Sequence, residues 1–365
     1  MIPLNDLSRN YPFSLEIQEA ITKVLKSGNW IMGPEHKLFQ DELALFLASD
    51  SVFGVASGTD SLEIALRAVG CVNGSKIITV GNAGGYAAIA GGLIGCEVLY
   101  SDVDPLRLVI DPKSLVSLLS AEITAVVVTH LYGNVAPIKE IVDLCKPFNI
   151  RVIEDCAQAI GATFEGRAVG TFGDIGTFSF YPSKNLGAIG DAGAIATYDK
   201  RLAKRIEQLR QYGWGEKYFI DIAGGKNSRL DEIQAAVLRI GLRRADDLNS
   251  RRREILKEYD NALVGTDISL VTSYSDESAA HLAVLLLPKN IDREGFRKKL
   301  EGFGIQTAIH YPILDVDQVG LPNAASAWDL PVSRDSVKRI VSIPLFPELT
   351  SEEVKTICMA LASSK

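Results

Sequence analysis

The sequence predicts an α/β fold: a large domain with a mostly parallel mixed sheet sandwiched by helices, then a smaller C-terminal α+β domain. Three observations predict it. Short β-branched runs alternate with helical patterns over the first two-thirds of the chain, the signature of strands joined by crossover helices. Runs such as Ala125-Val126-Val127-Val128 are apolar at every position, as strands buried on both faces are. Near Gly224-Gly225 the pattern changes, and a long helical stretch leads into a smaller unit. The expected domains are 1–240, N-terminal segment included, and 241–365.

Candidate strands are Lys76–Val80, Glu97–Ser101, Thr124–His130, Arg151–Glu154, Gly176–Phe180 and Ala194–Thr197. Candidate helices are Asp60–Val69, Ile138–Cys145 and Arg201–Tyr212. One helical stretch, Asp231 to about Leu263, is rich in Arg, Glu and Leu. Beyond it, Ala280–Leu287 reads as a strand and Arg293–Phe303 as a helix.

The 365 residues, 47% of them hydrophobic, are ample for a large core and more than one domain. A net charge of −7 argues against wholesale nucleic-acid binding, which needs a basic face. The run Arg251-Arg252-Arg253 precedes Glu254 and reads as a solvated helix face. The 5 cysteines show no CxxC spacing and no nearby His in sequence, so no metal site is expected and reduced thiols are the default. Residues 1–11 carry Asp6 and Arg9 without an apolar core, unlike a signal peptide. The uncharged stretch Ile77–Cys96 is long enough to span a bilayer, but its glycines point to a buried strand, a loop and a buried helix. No membrane attachment and a cytoplasmic location are expected.

Three motifs carry chemistry. Ser57-Gly58-Thr59-Asp60 opens a helix with apolar residues at Leu62, Ala65, Leu66 and Val69, and Asp60 with Glu63 fits a capping box. Free N–H groups there, with the helix dipole, make a phosphate site or merely a cap. Val152-Ile153-Glu154-Asp155 is an apolar strand ending in two carboxylates, where α/β folds place ligands. Such an end is solvated, or it is buried against a cation. Lys184 follows an apolar strand in a turn rich in Ser, Asn and Gly, with Gly187, Gly190 and Gly193 behind it. It is an exposed loop lysine, or a desolvated one whose amine is free for a Schiff base. A phosphate cradle, a carboxylate and a lysine together are the handles that pyridoxal phosphate needs.

At these residues the chain resembles the DegT/DnrJ/EryC1/StrS sugar aminotransferases, which are fold-type-I pyridoxal-phosphate enzymes. The likeness runs from Ile2-Pro3-Leu4 through Gly28–Pro34 to Ser342–Pro347. Its most specific pieces are Ala56–Asp60, Glu154–Ala159, Ser179–Gly187 and Asn227–Gln234. The resemblance implies that Lys184 links to the cofactor and moves the proton between cofactor and substrate carbons. Asp155 would pair with the pyridinium nitrogen and Gln158 would contact the ring's phenolic oxygen. Gly58, Thr59 and Ser179 would hold the phosphate, and Asn227 would reach the phosphate of the neighbouring subunit in a homodimer with shared sites. The partners implied are L-glutamate and a nucleotide-linked keto sugar, in amino-sugar, polysaccharide or glycoside biosynthesis.

Two stretches depart from the family pattern. The usual Pro-x-x-Thr-aromatic segment reads Val80-Gly81-Asn82-Ala83-Gly84-Gly85-Tyr86, with Tyr86 as the candidate stacking residue or an ordinary core tyrosine. After Ala308-Ile309-His310-Tyr311-Pro312 the usual continuation is replaced by Ile313-Leu314-Asp315-Val316-Asp317. His310 and Tyr311 are candidate substrate ligands, His310 being alternatively a structural histidine. Lysine at 184 argues against the keto-sugar dehydratases of this scaffold, which carry histidine there. A cofactor-binding regulatory protein remains an alternative. The absence of G-x-G-x-x-G after a strand argues against a Rossmann dehydrogenase. Gly190-Asp191 resembles members that aminate C3, whereas C4 enzymes tend to carry Gly-Glu.

Overall fold

The computed structural model describes residues 1–9, 14–321 and 329–363. Seven strands form the main sheet: β1 (Ser51–Val55), β2 (Lys76–Val80), β3 (Glu97–Ser101), β4 (Ile123–Thr129), β5 (Arg151–Asp155), β6 (Ile175–Ser179) and β7 (Gly193–Thr197). Their order is β1-β7-β6-β5-β4-β2-β3. The pairs from β3 to β6 are parallel, while β7 runs antiparallel to both β6 and β1. The mixed, mainly parallel sheet of the sequence reading is therefore present. β1 was not foreseen, and several ends move by a residue.

Helices α1 (Leu15–Ser27) and α2 (Pro34–Leu47) precede the sheet. α3 (Gly58–Ala68) and α4 (Tyr86–Ile94) pack on one face, with Leu62, Ile64, Ala87 and Ala90 buried against Ile77, Val98 and Ile153. α5 (Ile138–Cys145) covers the other face, where Ile138 and Ile141 meet Val126 and Val128. α6 (Lys200–Leu209) follows β7. The stretch Ile77–Cys96 is a strand, a loop and a helix, as its glycines indicate; the helix is buried on one face only, with Tyr86, Ile89 and Leu93 exposed, and no helix among the described residues is long and apolar enough to cross a membrane.

The long helical stretch is two helices, α7 (Glu232–Leu242) and α8 (Ala245–Leu263), broken at Arg243-Arg244. The break lets them serve different cores. Leu238 and Leu242 pack with Phe39 and Leu43 of α2, whereas Ile255, Leu256 and Tyr259 pack with Leu285, Val341 and Ile357. The C-terminal unit holds an antiparallel sheet of β8 (Ser269–Leu270), β9 (Ala283–Leu286) and β10 (Ile340–Ile343), with α9 (Arg293–Gly302) and α10 (Ser351–Ala362). The N-terminal residues, expected with the large domain, lie against this unit instead. Ile2 bridges Ile305, and Arg9 pairs with Glu353 at 2.8 Å. Residues 322–323, the end of the segment that follows Tyr311, lie outside the described residues.

Candidate active site

The carboxyl ends of the parallel strands open into a cavity of about 490 Å³. Its wall brings together Gly58, Thr59, Tyr86, Asp155, Gln158, Ser179, Lys184, His310 and Tyr311. Asn227 is exposed and lines a separate hollow with Arg229 and Gln234, touching the main cavity's wall only through their shared neighbour Asp191.

The phosphate-type corner is built by α3. The first N–H groups of a helix have no acceptor within it. Here Ser57 Oγ accepts from Asp60 N at 3.1 Å, and Gly58 and Thr59, whose N–H groups have no acceptor within the helix, line the cavity with Ser179. A Cβ on Gly58 would lie 2.6 Å from Ser179 Cβ, so only glycine lets the helix start this close to β6. The expected capping box is not formed. The helix begins earlier, Ser57 is its cap, and the Asp60 and Glu63 carboxylates turn to Lys226 Nζ at 2.5 and 2.8 Å.

The two acids at the end of β5 part company. Glu154 is fully buried and accepts from Gly170 N (2.8 Å), Phe172 N (2.7 Å) and Gly173 N (2.8 Å). His130 Nδ1 accepts from Ala136 N at 3.1 Å, so its Nε2 carries the proton and donates to Glu154 at 3.1 Å. His130, Glu154 and Cys156 gather within 4.8 Å, so Cys156 does have a histidine neighbour, contrary to the linear reading. Both Glu154 oxygens are already accepting hydrogen bonds. All five cysteines are free.

Asp155 points into the cavity. It accepts from Ala157 N at 3.1 Å and Thr129 Oγ1 at 3.4 Å. Burial raises its pKa, against the opposing pull of the Ala157 N–H, Lys184 and His130. Burial also pushes Lys184 down to about 8, with Asp155 pulling it back up. The lysine turn is held by main-chain bonds from Lys184 N to Tyr181 O and from Ala188 N to Phe180 O, both 2.8 Å. Gln158 Oε1 accepts from Tyr132 N at 2.6 Å, which fixes the amide's orientation, and its Nε2 donates to Tyr311 Oη at 3.1 Å. His310 Nδ1 pairs with Ser342 Oγ at 2.9 Å, and burial followed by Lys184 lowers its pKa.

Sequence reasoning missed three wall residues. Arg252, read as part of a solvated face, is 3% exposed, and its Nη1 donates to Leu345 O at 2.9 Å. His281 is buried beside Asn185, with Nδ1 at 2.8 Å from Asn185 Oδ1, and burial and then Lys184 push its pKa well down. Asn5 reaches the wall from the N-terminal segment. No local spacing marks any of them.

The sequence profile of the DegT/DnrJ/EryC1/StrS aminotransferase family matches residues 13–362. The chain belongs to that family. It is similar to a dTDP-3-amino-3,6-dideoxy-alpha-D-galactopyranose transaminase of Aneurinibacillus thermoaerophilus, 39% identical over 365 residues and 99% of each chain. Among solved structures, DesV of S. venezuelae in complex with a ketimine intermediate has a TM-score of 0.93 at 33% identity, covering 99% of this chain and 98% of that one. NtdA from Bacillus subtilis with bound cofactor PMP has a TM-score of 0.92 at 29% identity, covering 99% and 84%. The protein is an aminotransferase, and enzymes of this DegT family work with pyridoxal 5′-phosphate. The cavity fits that group: a cradle that a Cβ would fill, an acid buried without a bonded cation, and an amine lowered toward neutrality.

Proposed function

We propose that the protein moves an amino group from L-glutamate to C3 of a nucleotide-linked keto-6-deoxyhexose, using pyridoxal phosphate held by Lys184. One observation carries the cofactor end: a half-buried lysine, lowered to about 8 by desolvation, shares one cavity with a buried Asp155 and the α3 N-terminus.

Pyridoxal phosphate, when bound, supplies an electron sink through which an amino group leaves one carbon and enters another. The chain's own residues do the rest. Gly58 and Thr59 N–H groups and the Ser179 hydroxyl bind the phosphate. The Asp155 carboxylate holds a proton on the pyridine nitrogen, gaining the cation that its burial demands. Gln158 keeps one Nε2–H for the phenolic oxygen, since Oε1 and the other N–H are engaged. Lys184 Nζ, once free, would hold and move the proton between the donor carbon and the cofactor. Asn227, exposed on its own chain, serves the site of a second copy, and the assembly is a homodimer. Tyr86 flanks the ring, and His310 and Tyr311 contact the sugar. The free cysteines suit a reducing cytoplasm.

C3 is supported by the 3-amino sugar in the name of the 39% identical relative and by Gly190-Asp191. The cavity of about 490 Å³ is roomy enough for a sugar beside the cofactor. Amination at C4 on the same scaffold is the second reading. The test is a set of 3-keto and 4-keto sugars on dTDP, UDP and GDP with glutamate, followed by mass spectrometry. A product one amino group richer only with 3-keto substrates supports the proposal, and product only with 4-keto substrates refutes its position.

A further inference from the structure

The two stretches where the chain departs from the family pattern touch each other. Asp315 N donates to Gly81 O at 2.8 Å, so the segment after Tyr311 crosses the loop that opens α4. The Asp315 side chain is 1% exposed, and its Oδ1 makes no hydrogen bond. Among the described residues no cation is paired with it; Arg334 pairs instead with Asp317 at 3.1 Å. What faces the carboxylate is backbone. The N–H groups of Gly84 and Gly85 favour its charged form. Both glycines have positive φ, 81° and 82°, a conformation that L side chains rarely adopt, so the turn needs glycine at both positions.

That turn carries two rings of the wall. Gly85 is the N-cap of α4 and Tyr86 is its first residue. A Cβ on Gly84 would lie 3.0 Å from the Tyr311 ring, so Tyr311 rests directly on the turn. The Tyr86 and Tyr311 rings meet edge to face, with centroids 6.2 Å apart.

We propose that Asp315 is a positioning residue: its carboxylate holds the Gly84-Gly85 turn, and the turn holds the Tyr86 and Tyr311 rings against the bound cofactor. The inference rests on the cavity being the pyridoxal-phosphate site. The titratable group facing Asp315 is the Tyr100 phenol of β3, itself raised by burial and then by Asp315. Burial raises Asp315 to about 7, against the two glycine N–H groups. As pH falls through that value the carboxylate takes a proton and becomes the weaker acceptor. The turn then loosens.

Hydrogen exchange of the peptide covering Gly81 to Ala87, in cofactor-free protein, reads the clamp directly. Wild type, corrected for intrinsic rate, should lose protection about tenfold as pH falls through 7, the scale of one hydrogen bond to a charged group. Asp315→Asn should be equally unprotected on both sides of that pH. Its dissociation constant for pyridoxal phosphate above neutral pH should rise about tenfold. Gly85→Ala strains the same turn at positive φ with nothing nearer than Leu321 Cδ1 at 3.5 Å, and it should weaken cofactor binding with Asp315 intact. If Asp315→Asn fails to fold, Gly85→Ala and the wild-type pH profile decide. Unchanged protection in Asp315→Asn, or lost protection with unchanged cofactor affinity in either variant, overturns the proposal alone. Wild type that binds no pyridoxal phosphate overturns the site reading as well.

Discussion

Lys226 Nζ lies 2.5 Å from Asp60 Oδ1, which ties the residue before Asn227 to the first turn of α3. Ser228 Oγ donates to the other oxygen of Asp60 at 2.6 Å. Asn227 is thus exposed between two anchored neighbours, and its direction is set by α3 of its own chain. In the proposed dimer, one subunit's phosphate helix would position the asparagine that serves the other subunit.

Lys226→Met should therefore weaken both stability and cofactor binding. The lysine side chain is 30% exposed, so screening limits the stability loss to about 1 kcal/mol. Burial opposes its charge, but hydrogen bonds to Asp60 and Glu63 win and raise its pKa above 10.5. A raised folded value means the contribution is full below the unfolded value and disappears as pH rises through the folded one. The melting-temperature gap between wild type and variant should be constant up to 10.5 and close above it. A gap that instead opened in alkali would contradict the ion pair.

Lys184 gives a second pH signature. With its pKa near 8, capture of pyridoxal phosphate by cofactor-free protein should speed up through pH 8 and level off, rather than keep climbing toward 10.5. Borohydride should then fix the cofactor to wild type and not to Lys184→Ala. The folded value is below the unfolded one, so the fold binds fewer protons between them and stability rises with pH across that window. Below it the buried charge costs the most. Lys184→Met should thus stabilise cofactor-free protein near neutral pH, by on the order of 2 kcal/mol. A variant that melts lower than wild type there would show that the amine is well solvated.

Much of this site was legible because its handles sit in continuous strings. Asp155 ends β5, Gly58 begins α3 and Lys184 lies in the turn after β6, and turn chemistry at an element's end is written locally. The rest depends on partners far along the chain. Asp60 and Glu63 looked like a cap because Lys226, which claims them, is 166 residues from Asp60. Arg252 looked solvated because the acceptors that bury it belong to residues 281 and 345. β1 was missed because Gly54 interrupts a short run, and its pairing with β7 spans 146 positions from Ser51 to Thr197. The break at Arg243-Arg244 follows Gly241, whose backbone freedom weakens the last turn of α7, and the two flanking helices bury their apolar faces in different cores.

Asp155→Asn separates charge from shape. Burial raises the Asp155 pKa, so without cofactor the folded state binds the proton more tightly than the unfolded one, and ionisation costs stability as pH rises through the raised value. The amide has no such cost. The variant should fold at least as stably as wild type near neutral pH without cofactor, and lose turnover by about a hundredfold or more. Near-normal turnover would remove Asp155 from the chemistry.

Asn227 makes the assembly testable. Lys184→Ala and Asn227→Ala proteins should each be inactive or nearly so. When their subunits re-assort, one site of a mixed dimer holds an intact lysine and an intact partner asparagine, so activity should return. The exposure of Asn227 and its distance from the main cavity's wall motivate the experiment. Subunit exchange proven by mass, with no activity regained, would count against shared sites.

The sugar position can be read without a synthetic keto substrate, because transamination is reversible. The enzyme in its pyridoxal form should accept an amino group from a nucleotide-linked 3-amino-6-deoxyhexose, and the cofactor's visible absorbance should fall as the amino form accumulates. The 4-amino isomer should leave the spectrum unchanged. Binding alone cannot give this result, since the change requires transfer of the amino group to the cofactor. A regulatory protein that merely bound the cofactor would show no change with either sugar. In the proposed reading the isomers are distinguished at the part of the cavity wall that Tyr86, His310 and Tyr311 form. Tyr86→Ala should therefore raise KM for the 3-amino sugar by about tenfold, the scale of one aromatic contact, more than it raises KM for glutamate. A response to the 4-amino isomer alone would move the reaction to C4 and leave the aminotransferase itself in place. A response only to simple amino acids would remove the sugar from the proposal.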